Sequence, residues 1–262
     1  MLGGLWRHRG LVATLARREV IGRYRGSVLG ILWSLFHPML MLAVYTFVFS
    51  VVFRARWDAG GDSKADFALV LFAGLMVFNV FAECVNRAPG LVLSNINYVK
   101  KVVFPLEILP WVTLIAALFH LAVSLLVWLV FHCVLLGAPK ATMLLLPAVL
   151  LPLVLLTLGV SWLLASLGVY LRDVSQIVGI VTTALMFLLP IFYPLSSLPE
   201  PYLTILSWNP LTPSIEQARD VLLWGRALDP ASYALQLVAA ALVAWLGFAW
   251  FQKTRKGFAD VI

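Results

Sequence analysis

Charged residues are scarce in this sequence: Asp, Glu, Lys and Arg make up 12% of its 262 residues, against roughly 25% in soluble domains. Hydrophobic residues make up 62%, and they gather in stretches of about 20 residues, the length that crosses a bilayer as a helix. A buried core in a soluble protein does not need stretches of this length. The composition therefore predicts an all-α integral membrane protein.

Cysteine is also scarce. The two cysteines, Cys84 and Cys133, both lie inside apolar stretches, and their spacing matches no metal or redox motif. We therefore interpret both as small buried hydrophobic residues.

The motifs of several chemistries are missing as well. The chain has no G-x-x-x-x-G-K-[ST] phosphate loop, so it cannot by itself bind and hydrolyse ATP in the Walker manner, and it has no H-E-x-x-H or G-x-S-x-G. Its acidic residues are scattered singly, whereas a membrane-embedded transferase or lipid-processing enzyme needs them gathered at one depth. That enzyme class is a remote alternative. We expect no catalytic residue, no metal site and no cofactor bound by this chain.

What the sequence does contain is a set of apolar stretches that predict six membrane spans: residues 30–53, 67–88, 111–136, 143–170, 174–192 and 233–251. Six spans place both termini on one side of the membrane. The basic residues on the other side would be Arg54, Arg56, Lys64, Lys140, Arg219 and Arg226, which leaves thirteen of the nineteen Lys and Arg residues with the termini. Because positive loops stay inside, both termini are predicted to be cytoplasmic. We read the net charge of +7 as a sign of orientation, not of nucleic-acid binding.

Residues 1–29 precede the first span and are rich in arginine. Val12, Ala16, Val20 and Tyr24 recur at steps of four, which places them on one helix face, although Arg23 interrupts that face. The pattern favours an amphipathic helix at the membrane interface over a plain basic extension. Glycines also recur at steps of four, and they predict either a close helix contact or an elbow before the first span: Gly22, Gly26 and Gly30.

Polar residues mark the end of the second span and the segment that follows it, 88–105. Glu83 and Arg87 are four residues apart with the acid first, which fits a helical ion pair but also a water-filled path, and both interpretations stay open. After them the stretch LSNINYVKKVVFPLEILP carries asparagines and paired lysines that hydrocarbon would not tolerate. We expect this segment to face the cytoplasm.

Two other connections stand out. The Arg172-Asp173 turn is short and charged, and Asp173 is a candidate cap for the next helix. Residues 193–231 mix six prolines with apolar pieces too short to cross a bilayer. We predict short re-entrant or interfacial helices here, before the last span and a cytoplasmic tail, 252–262.

Five segments, in order, resemble the permease subunit of type-2 ABC exporters. They are RREVIGRYRGSVLGILWSLFHPM, YVKKVVFPLEILP, LGVYLRDVSQIV, PIFYPLSSLP and NPLTPSIEQARDVLLWG. They look most like the Wzm-type branch, which exports lipid-linked polysaccharides such as O-antigen. The resemblance covers nearly the whole chain.

The resemblance implies a homodimer in the inner membrane that is docked on two copies of a separate ATPase subunit, which binds ATP and magnesium. It implies a coupling helix within 88–97 and a gate helix at 98–105. Residues implied in coupling to the ATPase are Ser94, Asn95, Asn97, Arg172 and Asp173. Residues implied in the exit gate on the periplasmic side are Trp208, Asn209, Glu216 and Arg219.

The implied substrate is a polysaccharide linked through diphosphate to undecaprenol, moved from the cytoplasmic to the periplasmic side. Candidate contacts for the diphosphate and gate are Arg23, Arg25, Tyr98, Lys100 and Lys101, because phosphates accept hydrogen bonds from several cationic donors. Positive-inside anchoring is the alternative role for the basic ones. The same family also permits a capsule or teichoic-acid polymer, or a drug-like amphipath.

Overall fold

The computed structural model describes residues 2–48, 64–100 and 104–261, and within them all regular structure is helical. This confirms the all-α class. The α-helices, in chain order, are α1 (Leu2–Arg7), α2 (Arg9–Tyr24), α3 (Trp33–Tyr45), α4 (Lys64–Arg87), α5 (Ile96–Lys100), α6 (Leu109–Leu135), α7 (Leu146–Tyr170), α8 (Val174–Leu188), α9 (Glu200–Ser207), α10 (Leu211–Arg219), α11 (Pro230–Thr254) and α12 (Phe258–Val261).

Five helical segments of the described part are long and apolar enough to cross a membrane: Gly30–Val48, Asp66–Gly90, Leu106–Leu135, Ala141–Tyr170 and Pro230–Val261. The predicted span at 174–192 is shorter than expected, because α8 has 15 residues and covers only about 22 Å at 1.5 Å per residue. It stops at Leu189, whose backbone is extended, because the following Pro190 disfavours the helical conformation. A sixth span therefore stays a prediction.

Helix α4 is the centre of the bundle and packs against α6, α7, α8 and α10. Two fully buried tryptophans on the neighbouring helices donate hydrogen bonds to backbone carbonyls through their indole N–H groups. Trp128 on α6 donates to the Leu69 carbonyl at 3.0 Å, and Trp162 on α7 donates to the Glu107 carbonyl at 3.0 Å. The buried donors are thereby satisfied, as a membrane interior requires.

Helices α7 and α11 approach closely because glycines face each other. A Cβ added to Gly247 would lie 2.0 Å from the Gly159 carbonyl oxygen, and one added to Gly159 would lie 2.5 Å from the Val243 carbonyl oxygen. Small residues at such contacts let the backbones of membrane helices touch. This contact fixes the last long helix against the bundle.

The two described ends of the chain meet at one end of the bundle, which we call the first end. Glu107 lies near Gly4 of α1 and accepts a hydrogen bond from Arg255 at 3.0 Å. Phe258 of α12 is buried and packs edge-on against Tyr170. The opposite, second end holds the contact between Thr142 and the Val221 carbonyl at 2.8 Å.

Helix α2 buries the face that its sequence predicts: Val12, Ala16 and Val20 are buried, and the helix packs on α6. Gly26 and Gly30 have positive φ angles of 87° and 54°. A Cβ on Gly22, Gly26 or Gly30 would meet no described atom within 4 Å. Gly26 and Gly30 therefore form an elbow after the end of α2, and none of the three glycines makes a close helix contact within the described part.

Two other expectations are wrong. Cys84 is buried, but Cys133 is exposed on the outer side of α6, because an apolar stretch in a membrane helix has an outward face as well as a packed one. Asp173 precedes α8 but makes no capping hydrogen bond with its side chain. Instead, its backbone carbonyl accepts from the Gln176 and Ile177 N–H groups.

Candidate functional site

The accessible face of α4 is polar. Between Phe67 and Ala88 every residue is buried except a stripe at helical spacing: Asn79, Ala82, Glu83, Asn86 and Arg87. A face turned to lipid would be apolar, and polar groups at membrane depth line cavities or pair with one another. The stripe therefore marks where α4 meets water or a ligand, and two neighbouring cavities open along it.

The first cavity, which we call the basic cavity, has a volume of about 870 Å³ and lies between α2, α4, α6 and the segment that leads into α5. Four arginines line it, against one acid, Glu19. The arginines are Arg18, Arg23, Arg25 and Arg87. Asn95 and Tyr98 close the side nearest α5.

An ion-pair network ties α2 to α4 and α6 at this cavity. Arg23 contacts the Glu83 carboxylate at 2.5 Å, and the His120 Nδ1 lies 3.0 Å from Glu83 Oε2 and 3.1 Å from Arg23 Nη1. Arg87 lies 3.8 Å from Glu83 and also pairs with Glu19 on α2. The ion-pair interpretation of Glu83 and Arg87 therefore holds, and the pair also borders a cavity.

Two arginines of the basic cavity make no ion pair with any described residue, namely Arg18 and Arg25. Both side chains are exposed. Arg18 lies on the side of α2 that lines the cavity, and Arg25 follows directly after the end of that helix. The guanidinium group presents several N–H donors in a fixed fork that suits phosphate. Arg18 and Arg25 thus carry positive charge that no described acid offsets, while Arg23 and Arg87 join α2 to α4 through ion pairs.

Other predicted contacts have mixed outcomes. Tyr98 lines the basic cavity and stacks on Phe104, with ring centroids 4.3 Å apart. Lys101 and the side chain of Lys100 lie outside the described residues, so their predicted role stays a prediction.

The predicted coupling residues lie at the first end of the bundle. Ser94, Asn97, Arg172 and Asp173 are exposed, whereas Asn95 is partly buried because its side-chain amide donates to the Leu91 carbonyl at 2.8 Å. The two segments are held near each other by the close approach of Gly168 on α7 to Pro89: a Cβ there would lie 2.2 Å from the Pro89 carbonyl oxygen. Their contact with an ATPase stays a prediction.

The predicted exit-gate residues divide into exposed and buried. Trp208 is 84% exposed, and Asn209 accepts a hydrogen bond from the Leu211 N–H at 3.0 Å at the start of α10. Arg219 is fully buried and pairs with Glu216 at 2.8 Å. Burial lowers the pKa of Arg219 to about 10, so it stays charged at neutral pH.

The Arg219 guanidinium joins three parts of the chain. It donates to the carbonyls of Val70 on α4, of Pro190 and of Ile191, at 3.1, 2.6 and 2.8 Å. Gly74 makes room for it, since a Cβ there would lie 2.8 Å from Nη2. Arg219 therefore fixes α10 to the bundle and is enclosed by protein.

Sequence reasoning missed Glu19 and His120. The signal for His120 was Arg23, which interrupts the apolar face of α2, whereas nothing in the sequence signals that Glu19 pairs with Arg87. An arginine on a buried face needs a partner, and the structure supplies Glu83 and His120 as those partners.

A family model described as "ABC-2 type transporter" matches residues 10–223, and the chain belongs to this family, as the ordered motifs predict. The match includes α2, the polar stripe of α4 and α10.

The chain is also similar to individual proteins that are named as permeases or transport proteins. The chain is 30% identical over 261 residues to "O-antigen export system permease protein RfbA" of Myxococcus xanthus, covering 98% of this chain and 97% of that protein. It is 25% identical over 253 residues to the protein of the same name from Klebsiella pneumoniae, covering 96% and 95%. It is 24% identical over 248 residues to "Polysialic acid transport protein KpsM" of Escherichia coli, covering 94% and 93%.

Proposed function

We propose that this chain is the permease subunit of an ATP-driven exporter that moves an undecaprenyl-diphosphate-linked polysaccharide of the O-antigen type across the inner membrane. The observation that carries the proposal is the basic cavity between α2 and the membrane helices, with two arginines that no described acid neutralises. Similarity to two O-antigen export permeases along nearly the full chain supports the cargo class.

The direction of transport follows from the predicted orientation. The excess of basic residues on the side of the termini predicts that the first end of the bundle faces the cytoplasm. The basic cavity is lined by residues of that end, so a lipid diphosphate would reach it from the inner leaflet. Lys100 and Lys101 stay candidate contacts for the diphosphate on the sequence alone.

We expect the energy to come from a partner subunit, since the given sequence carries no phosphate loop. We expect two copies of an ABC ATPase, which bind ATP and magnesium, under a homodimer of this chain. The exposed Ser94, Asn97, Arg172 and Asp173 at the first end are the residues that we expect to contact the ATPase.

A capsule polymer is the second candidate cargo. It is favoured by the similarity to a polysialic acid transport protein, which covers 94% of this chain. The basic cavity suits either cargo, because a diphosphate or another phosphate-bearing lipid would be bound by the same arginines.

The test is reconstitution. The chain is co-expressed with a candidate ABC ATPase from the same organism, the complex is placed in proteoliposomes, and ATP-dependent movement of undecaprenyl-diphosphate-linked glycan is followed with a lectin on the outside. We expect movement only when both subunits and ATP are present. Movement by the chain alone, or a complex that responds to a phospholipid-linked capsule polymer and not to the undecaprenyl-linked one, would contradict the proposed function.

A further inference from the structure

A second cavity of about 510 Å³ lies beside the basic cavity, between the end of α2 and helices α3, α4 and α6. We call it the polar cavity. Its lining includes neutral hydrogen-bonding side chains from three helices: Ser34, Asn79, Asn86 and Ser124. Tyr24 and Trp33 add aromatic rings. Its volume lies within the range of roughly 300–1,000 Å³ that is usual for small-molecule sites.

Several of these polar groups have unused hydrogen-bonding capacity within the described part. The side chains of Asn79 and Ser124 make no hydrogen bond with any described residue, and the Nε2 of His120 is buried without a described partner. Asn86 accepts from Thr182 at 3.2 Å through its carbonyl oxygen, which leaves its NH₂ group available. Polar groups without a hydrogen-bond partner at membrane depth cost free energy unless water or a ligand reaches them.

The two cavities share two of their lining residues. Arg23 and Arg87 border both of them. A diphosphate held in the basic cavity therefore places whatever is bonded to its far phosphate next to the polar cavity. The neighbouring space carries amides, hydroxyls and aromatic rings. Its remaining ionisable groups are His37 and the pair of Glu83 and His120, which is engaged with Arg23.

We infer that the polar cavity is a carbohydrate subsite, which binds the first sugar residues attached to the lipid diphosphate. This inference rests on the proposed function. Amides and hydroxyls can both donate to and accept from sugar hydroxyls, and an aromatic ring offers a flat apolar face to a sugar ring. A phospholipid would not use these groups, since its chains are apolar and its phosphate would stay with the arginines.

The experiment compares two probes on the complex of this chain with its ATPase in nanodiscs. One probe is undecaprenyl diphosphate, and the other is the same lipid carrying a single N-acetylhexosamine. The measured quantity is the ratio of their dissociation constants. For the wild-type complex we expect the sugar to tighten binding about tenfold, the effect of one to two net hydrogen bonds.

The test variant is the double substitution Asn79→Ala with Ser124→Ala. We expect the ratio to fall close to one while the affinity for bare undecaprenyl diphosphate is unchanged. The matched control is Thr183→Ala, which removes an exposed hydroxyl on α8 outside the cavity lining and should keep the wild-type ratio. Ala82→Phe is a second variant. It keeps every polar group but fills the cavity from the accessible face of α4, and it should also abolish the sugar's contribution.

Three outcomes overturn the inference. A wild-type ratio of one means that the sugar is not bound. An unchanged ratio in both cavity variants places the sugar elsewhere. Equal loss of both probes in the cavity variants means that the cavity holds the lipid and not the sugar. Failure of both probes to bind the wild-type complex is a different result, because it overturns the proposed function itself and this inference with it.

Discussion

Arg23 on the surface helix and Glu83 on the central helix are joined by an ion pair of 2.5 Å, in contact with His120 on a third helix. Only 15% of the Glu83 side chain is exposed, against 49% of Arg23. Glu83 is thus the acceptor at the centre of the network, and it also lies near Arg87. This single carboxylate connects α2, α4 and α6.

We predict that Glu83→Gln destabilises the protein by about 1–3 kcal/mol, because the amide keeps an acceptor oxygen but removes the negative charge that the partly buried Arg23 and Arg87 face. The measurement is thermal unfolding of the purified chain in one detergent, with Arg23→Gln and the double variant completing a double-mutant cycle. Glu107→Gln is the control, since it weakens a single pair with the exposed Arg255 and should cost about 1 kcal/mol or less. Equal losses of stability in the two glutamate variants would show that the Glu83 network contributes no more to stability than a single ion pair does.

Arg219 gives the largest predicted effect of a single substitution. Arg219→Met removes the donor from three backbone carbonyls and leaves Glu216 unpaired, which should cost about 3–5 kcal/mol. Arg226→Gln is the control, because Arg226 pairs with Asp220 at 3.4 Å while 69% of its side chain is exposed. The two are compared by thermal unfolding. A similar midpoint for both variants would mean that the buried guanidinium is not what holds α10.

The contact of α7 with α11 predicts a strong dependence on side-chain size. Gly247→Ala places a Cβ against the Gly159 carbonyl and should destabilise by about 1–3 kcal/mol or more, because the two backbones must separate. Gly179→Ala on α8 is the matched control: its Cβ meets no described atom within 4 Å, and alanine favours a helix. Tolerance of alanine at 247 equal to that at 179 would contradict the close packing.

Local pattern predicted a substantial part of this structure. The sequence predicted the buried face of α2 and the ion pair of Glu83 with Arg87, since helix geometry fixes which residues share a face. The early end of α8 also has a local cause, Pro190, although the prediction extended the span past it.

Contacts between residues far apart in the chain could not be predicted from the sequence. Nothing in the sequence near Arg219 indicates that its donors meet carbonyls of Val70 and Ile191, and Glu19 gives no sign of its pairing with Arg87. These contacts depend on how helices far apart in the chain are arranged. The misfit of Arg23 signalled that a partner existed but could not identify it.

The most direct test of the account is the affinity of the ATPase-bound complex for undecaprenyl diphosphate when the two arginines of the basic cavity that pair with no described acid are replaced. Arg18→Gln with Arg25→Gln should weaken binding at least tenfold, because charge-assisted hydrogen bonds to phosphate are worth more than about 1.4 kcal/mol. Arg17→Gln, an exposed arginine on the same helix outside the cavity lining, should bind as the wild type does. Equal affinity in the double variant and in Arg17→Gln would contradict the claim that this cavity receives the lipid diphosphate.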